Sequence, residues 1–208
     1  LMDVINKVCG GVKDGKQIKM VIPGGSSMPP LTREECLTMK MDNESLKAIG
    51  SAIGTAGVIV MDEDTDILKV LKRITKFYYH ESCGQCTPCR EGCGWMLRVL
   101  DRIDRGEGRQ EDLDLLISVA ENIEGNTICA LGDAAAWPVK WTIRKFRDEI
   151  AKKIPAHKIT LPVLNKVHGV RDYGGYSTLK RDNENEVVES LMGKVQEELN
   201  DESVRYSG

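Results

Sequence analysis

The sequence predicts an α+β protein in which a small mixed unit is followed by a four-helix bundle. Two segments with strand character lie within the first 62 residues, and from Asp62 onward the apolar residues recur at helical spacing. Short connections join the helical segments, which favours an antiparallel bundle. We therefore expect a mixed unit over residues 1–62, a helical domain over residues 63–154 and a polar tail over residues 155–208.

The composition is typical of a soluble globular protein, with 41% apolar and 29% charged residues. The formal net charge is −3, and Lys and Arg are spread along the chain, so nucleic acid is not predicted as a partner. No apolar run approaches the ~18 residues that a membrane-spanning helix needs, and the N-terminus does not resemble a signal peptide. These features predict no direct membrane insertion and a location in the cytoplasm, or at a membrane through partner proteins.

The mixed unit begins with the segment LMDVINKVCGG, whose apolar residues have helical spacing before a pair of glycines. Because this pattern is already under way at Leu1, we expect the chain to be a fragment of a longer polypeptide. Lys16–Pro23 alternates apolar and polar residues and predicts a half-buried strand. A short helix is expected within Asn43–Ile53, and a second, more apolar strand over Gly57–Met61.

Four helices are predicted after Asp62. Asp64 or Thr65 is expected to cap the first, and Gly106 to end the second. The third is expected over Glu111–Ile123. The predicted inward residues of these three helices are Ile67, Leu71, Ile74 and Tyr78, then Trp95, Met96, Val99, Leu100 and Ile103, then Leu115, Leu116 and Val119.

The fourth helix is expected to start near Asp133 and to bury Val139, Ile143, Phe146 and Ile150. Proline fits a helix only near its start, so Pro138 is expected close to this helix's beginning. Pro155 is expected to end the helix.

Four of the seven cysteines lie in the segment ESCGQCTPCREGC, from Glu81 to Cys93. Closely spaced cysteines in a reducing compartment bind metal more often than they form disulfides. Cys83, Cys86 and Cys89 form a C-x₂-C-x₂-C run, and soft thiolate ligands select zinc, copper(I) or iron–sulfur clusters. Zinc sites usually combine two separated pairs of ligands, whereas three thiolates from one loop suit a [4Fe–4S] cube, so the run favours the cluster.

Two residues compete to be the fourth ligand. Cys93 would complete a ferredoxin-like C-x₂-C-x₂-C-x₃-C run, but the last cysteine of that run serves a second cluster in two-cluster ferredoxins, and this chain has no second run. Cys129 lies between the third and fourth helices, where the ends of a bundle's loops can meet. The spacing therefore favours Cys129. Cys9 and Cys36 are interpreted as ordinary small apolar residues.

Several neighbours of the run have candidate roles. Gly84 and Gly92 are expected to allow close approach of the backbone to cluster sulfide. Arg90 either offsets the charge of a cluster or is an ordinary surface residue. His80 is a weak candidate ligand, and a capping or packing role is favoured for it. The tryptophans, Trp95, Trp137 and Trp141, are interpreted as core and interface residues.

The cysteine loop ESCGQCTPCREG and the segment ICALGDAAAWPV together closely resemble the NADH-binding flavoprotein subunit of respiratory complex I. The segments VIPGGSS, MDNESL and GSAIGTAGVIVMDE resemble that family's small β-grasp (SLBB) domain, so residues 1–62 are expected to be a β-grasp domain truncated at its start. The resemblance implies that Cys83, Cys86, Cys89 and Cys129 bind a [4Fe–4S] cluster and that Cys93 does not. Diaphorase subunits of NAD-linked hydrogenases and formate dehydrogenases share the cysteine pattern.

In the family, NADH passes a hydride to FMN, and single electrons leave through the cluster towards quinone. The resemblance would place the flavin-binding domain before residue 1, so FMN and NADH sites are expected only in the parent protein. This chain alone is therefore expected not to oxidise NADH. The implied partners are a thioredoxin-like [2Fe–2S] subunit and a large multi-cluster subunit, and the implied location is the cytoplasmic or matrix face of the inner membrane.

The tail from residue 155 onward faintly resembles the region that precedes the family's flavin domain. A structural zinc module for protein docking is the alternative of another class.

Overall fold

The computed structural model describes residues 1–155 of the chain. The predicted polar tail, apart from Pro155, lies outside these described residues. The described part combines a three-stranded antiparallel sheet with α-helices, which confirms the α+β class predicted from the sequence. None of the helices in this part has the length and hydropathy needed to cross a membrane.

The sheet has the strand order β2-β1-β3, and β1 pairs antiparallel with both neighbours. The strands are β1 (Ile18–Ile22), β2 (Leu31–Thr32) and β3 (Ile59–Asp62). A π-helical turn (Val4–Val8) and a 3₁₀ turn (Lys13–Gly15) precede β1. The helices are α1 (Arg33–Thr38), α2 (Asn43–Ala48), α3 (Ile67–Glu81), α4 (Thr87–Asp104), α5 (Glu111–Ile123), α6 (Leu131–Lys145) and α7 (Arg147–Ala151).

Strand β1 separates two hydrophobic cores. Met20 and Ile22 pack into the core formed by the helices, whereas Val21 packs with α1, α2 and the N-terminal turn. Ile18 joins Val21 instead of Met20, since the pairing register with β3 shifts between Ile18 and Met20. The prediction of a half-buried strand is therefore wrong: β1 is central in its sheet and buried on both faces.

Strand β2 and helix α1 were not predicted, although the sequence contains a signal for them. The Glu35 backbone N–H donates to the Thr32 hydroxyl at 3.4 Å, and the Thr32 N–H donates to the Glu35 carboxylate at 2.8 Å. This reciprocal pair is a capping box, and its T-x-x-E pattern marks the start of a helix. The Lys145 ammonium at the end of α6 also lies 2.7 Å from the Glu35 carboxylate, so α1 is tied to the helical part.

Helices α3 to α6 share one core, and two inward predictions are wrong. Trp95 is 52% exposed and Leu115 is 43% exposed. In each case the next residue, Met96 or Leu116, is buried in the core instead, because successive residues of a helix are rotated by about 100°. Most buried residues of α4 and α5 follow the spacing of three and four expected for one face. The buried residues are Cys89, Gly92, Cys93, Gly94, Met96, Val99, Leu100 and Ile103 in α4, and Asp112, Leu113, Leu116, Ala120 and Ile123 in α5.

The helix boundaries correct three further expectations. Asp64 or Thr65 was expected to cap α3, but the cap is Asp66. Its carboxylate accepts the backbone N–H of Lys69 at 3.3 Å. Pro138 lies in the middle of α6, because the helix begins at Leu131. The fourth predicted helix is interrupted at Phe146, where non-helical backbone separates α6 from α7.

Candidate metal centre

The cysteine run lies where the chain reverses between α3 and α4. Ser82 ends α3 and donates its backbone N–H to the Tyr78 carbonyl at 3.1 Å. Gly84 has a φ of +76°, a conformation that glycine adopts without strain. Cys86 is the N-cap of α4, and Pro88 fits the first turn of that helix, where a missing N–H costs nothing. The three cysteines of the run therefore span one tight reversal and the turn that follows it.

The three cysteines of the run differ in exposure. Cys83 is exposed, Cys86 is half-buried and Cys89 is buried. The Cys89 Sγ lies 3.2 Å from the Ser82 Oγ and 3.9 Å from the Cys93 Sγ. The run thus leads from solvent to the interior at one end of the helical part.

Cys93 lies one turn beyond Cys89 and is fully buried in the helical core. Burial, followed by the neighbouring Cys89, raises the pKa of the Cys93 thiol to about 12. Cys36 in the other core is also fully buried, and its pKa is likewise raised to about 12, mainly by burial. Cys9, which was interpreted as an ordinary small apolar residue, is exposed.

Cys129 lies in the loop between α5 and α6, at the same end of the helices as the cysteine run. A Cβ added to Gly92, near the start of α4, would lie 2.6 Å from the Cδ1 of Ile123, so the end of α5 is packed against the start of α4. The loop that follows Ile123 carries Cys129, which is exposed. Gly92 therefore serves the packing of two helices, and its approach to cluster sulfide stays a prediction.

The loop of Cys129 is anchored to α6 by side-chain contacts. The Glu124 carboxylate accepts a hydrogen bond of 2.7 Å from the Trp137 indole and pairs with the Lys140 ammonium. The Asp133 carboxylate accepts the Gly125 N–H at 2.7 Å. Burial raises the pKa of Glu124, but hydrogen bonds from Lys140 and Trp137 outweigh it, and the pKa is lowered overall. No sequence pattern indicated this anchor.

Arg90 braces the cysteine loop from α4. Its guanidinium donates to the Gly84 carbonyl at 3.1 Å and to the Thr87 hydroxyl at 3.3 Å. His80 is exposed, and its Nδ1 lies 2.9 Å from the Glu81 carboxylate. The Trp137 indole is half-buried in the anchor of the Cys129 loop, whereas Trp95 lies on the surface.

Both cysteine loops lie at one end of the helices, and their thiols are the type of ligand that an iron–sulfur cluster requires. Every cysteine in residues 1–155 is free, and both loops that carry the predicted ligands lie at one end of the helices. Within the described part of the chain, no three His, Cys, Asp or Glu side chains are arranged as the ligands of one metal ion. The ligands of a cube bind different iron atoms and are spaced more widely than those of a single ion. The set Cys83, Cys86, Cys89 and Cys129 stays a prediction.

Comparison with known proteins also indicates an iron–sulfur cluster. Residues 69–153 match the sequence profile of the NADH-ubiquinone oxidoreductase-F iron-sulfur binding region. The F subunit of NADH-quinone oxidoreductase from Rickettsia bellii is 54% identical over 155 residues, which cover 74% of this chain and 37% of that protein. The Rickettsia akari protein of the same name is 51% identical over 162 residues, covering 77% of this chain and 38% of its own length. The chain thus spans less than two-fifths of these relatives.

Solved structures give a similar result for the fold. The described fold resembles a chain of the NAD⁺-reducing [NiFe]-hydrogenase in the H₂-reduced state, with a TM-score of 0.60 and 25% identity. The match covers 74% of this chain and 26% of the hydrogenase chain. The resemblance inferred from the cysteine loop and its flanks is confirmed: this chain contains an NADH-ubiquinone oxidoreductase-F iron-sulfur binding region within a longer stretch that is similar to the F subunit of NADH-quinone oxidoreductase.

Proposed function

We propose that this chain is the electron-transfer part of an NADH:quinone oxidoreductase flavoprotein subunit, in which single electrons pass from FMN through a [4Fe–4S] cluster towards quinone. The observation that carries the proposal is the match of residues 69–153 to an iron–sulfur binding region, with the C-x₂-C-x₂-C run inside it. The bound cluster would accept and release one electron at a time. FMN and NADH belong to the parent protein outside this chain, so the chain alone is expected not to oxidise NADH.

We assign the cluster ligands to Cys83, Cys86, Cys89 and Cys129. Three of them lie in or beside one reversal that Ser82 and Arg90 hold, and the fourth lies in a loop at the same end of the helices. Exposure of Cys83 and Cys129 leaves both thiols open to incoming iron and sulfide. The Glu124 contacts hold the loop of Cys129 and so reduce the ordering that binding requires.

Metal analysis of the anaerobically reconstituted chain tests the cofactor. The expected result is about four iron and four sulfide ions per chain, with a paramagnetic resonance signal on reduction. Stoichiometric zinc without iron in chain purified anaerobically would support the structural zinc module instead.

Three single variants test the ligand set. Cys129→Ser is expected to lose or distort the signal. Cys9→Ser should keep it, because Cys9 is also exposed but is not in the assigned set. Cys93→Ala should also keep the signal, since Cys93 is not in the assigned set. Loss of the signal in Cys93→Ala together with its survival in Cys129→Ser would replace Cys129 by Cys93.

Thiol alkylation followed by mass spectrometry tests the same set without substitution. In the iron-free chain, the exposed Cys9, Cys83 and Cys129 are expected to react rapidly. After reconstitution, Cys83 and Cys129 should be protected while Cys9 reacts as before. Cys36 should stay unreactive in both forms, because burial raises its pKa to about 12.

We also propose the finer domain assignment. Residues 1–62 would be the β-grasp (SLBB-like) domain, residues 63–154 the four-helix cluster domain and residues 155–208 a polar tail. The antiparallel order β2-β1-β3 and the shared core of α3 to α6 support the first two assignments. The proposed partners are a thioredoxin-like [2Fe–2S] subunit and a large multi-cluster subunit, at the cytoplasmic or matrix face of the inner membrane.

A diaphorase subunit of an NAD-linked hydrogenase is the second candidate. The structural similarity to the NAD⁺-reducing [NiFe]-hydrogenase favours it. The higher identity to the relatives from the quinone enzyme favours the first proposal. Purification of the native assembly separates the two: co-purification with membrane subunits supports the quinone enzyme, and a complex containing nickel supports the diaphorase.

A further inference from the structure

Ser82 has two separate groups of contacts beside the cysteine run. Its backbone N–H donates to the Tyr78 carbonyl at 3.1 Å and ends α3. Its hydroxyl lies 3.2 Å from the Cys89 Sγ and 3.4 Å from the backbone N of Gly84. The hydroxyl therefore makes contacts that the end of the helix does not need.

The direction of these hydrogen bonds follows from the chemistry of the groups. The Gly84 N–H can only donate, so it donates to a lone pair of the Ser82 oxygen. A cysteine that binds iron does so as thiolate and has no proton to give. With Cys89 in that state, the Ser82 hydroxyl is the donor and the Cys89 sulfur is the acceptor. The result is one chain of hydrogen bonds, from Gly84 through Ser82 to Cys89.

We propose that Ser82 is a positioning residue that donates a hydrogen bond to the Cys89 sulfur and thereby raises the reduction potential of the bound cluster. The inference rests on the proposed function, because it requires Cys89 to be a cluster ligand. Hydrogen bonds to the sulfurs are among the factors that set cluster potentials. A donor stabilises the more negative, reduced form more than the oxidised form, so its removal lowers the potential. The bond from Gly84 polarises the Ser82 hydroxyl and strengthens its donation.

The side chain can be removed without removing the helix end. Ser82→Ala keeps the backbone N–H that bonds to Tyr78 and loses only the hydroxyl. Ser118→Ala is the matched control, since Ser118 is an exposed residue of α5 and belongs to neither cysteine loop.

The test is a redox titration of the reconstituted chain, followed by paramagnetic resonance with iron and sulfide measured in parallel. Ser82→Ala is expected to have a more negative midpoint potential than the unsubstituted chain at equal iron content. Ser118→Ala should have an unchanged potential. Equal potentials for Ser82→Ala and the unsubstituted chain, at equal loading, would refute the role of the hydroxyl.

A second pair of variants applies if Ser82→Ala does not load iron. Ser82→Thr and Ser82→Val have the same shape and differ in the hydroxyl alone, so the Thr variant should have the higher potential and the potential closer to that of the unsubstituted chain. Equal potentials in this pair would also refute the inference. Failure of the unsubstituted chain to bind iron would instead refute the proposed function, so the two failures are distinguishable.

Discussion

The Glu124 carboxylate accepts a 2.7 Å hydrogen bond from the indole of Trp137, and this contact fixes the loop of Cys129 against the helix that follows it. The same carboxylate pairs with Lys140, whose side chain is almost fully buried. The loop that supplies the fourth proposed ligand is therefore held by a partly buried charged pair, since the Glu124 side chain is 31% exposed. Such a pair costs more to break than an exposed one.

The first prediction concerns this anchor. Glu124→Gln keeps an oxygen for the Trp137 indole but leaves the Lys140 ammonium without its counter-charge, and it is expected to lower the free energy of unfolding by about 1–3 kcal/mol. Glu121→Gln is the control, because Glu121 pairs with Arg144 of the same helix α6 on the surface, and its loss should cost less than about 1 kcal/mol. Urea unfolding measures both. Equal losses in the two variants would contradict the special role of Glu124.

The second prediction is the pH dependence of the same contact. Burial raises the pKa of Glu124, but the hydrogen bonds from Lys140 and Trp137 and the charge of Arg144 lower it below its usual 4.5 overall. A lowered pKa adds stability above about pH 4.5, and this stability is lost as the pH falls through the folded-state pKa. The difference in unfolding free energy between the unsubstituted chain and Glu124→Gln is thus expected to shrink on acidification. A constant difference down to acid pH would count against this reading.

The third prediction tests the contact that brings the two cysteine loops to one end. Gly92→Ala places a Cβ 2.6 Å from the Cδ1 of Ile123 and is expected to cost about 1–3 kcal/mol through overpacking. Ile123→Ala is destabilising by itself but removes the clash, so Gly92→Ala should cost less in that background. A double-mutant cycle by urea unfolding measures this coupling. Additive effects would show that the two residues do not contact each other.

The fourth prediction compares two carboxylates at the start of α5. The buried Asp112 carboxylate accepts the Arg102 Nε–H at 3.0 Å and the Arg109 backbone N–H at 2.9 Å. Asp112→Ala is expected to cost about 3 kcal/mol, because it leaves both donors without a partner. Asp114 pairs with Arg147 at 2.8 Å on the surface, and Asp114→Ala should cost clearly less than Asp112→Ala. Calorimetric melting should rank the two variants in this order.

The long helices were predictable because their apolar spacing is regular over several turns. The third predicted helix has the observed bounds, Glu111–Ile123. Leu115 is predicted inside because adjacent leucines fit two neighbouring stripes on a helix, and only packing decides which stripe is buried. Strand β2 has two residues and is too short to have a period of its own.

The candidate site likewise has residues that the sequence predicts and contacts that it does not. Residue type and spacing indicate Cys83, Cys86 and Cys89, because the ligands lie close together in the chain. The contacts of Ser82 with Cys89 and of Glu124 with Trp137 depend on where helices meet. Such contacts leave no short pattern in a sequence, so only the structure reveals them.

Strand β1 contributes side chains to both cores, and this affects the cooperativity of unfolding. Its Met20 and Ile22 complete the helical core, while Val21 completes the core on the other side of the sheet. A shortened chain that begins after residue 62 would lack Met20 and Ile22, two buried side chains of the helical core. The helices and the sheet are therefore expected to melt in a single transition.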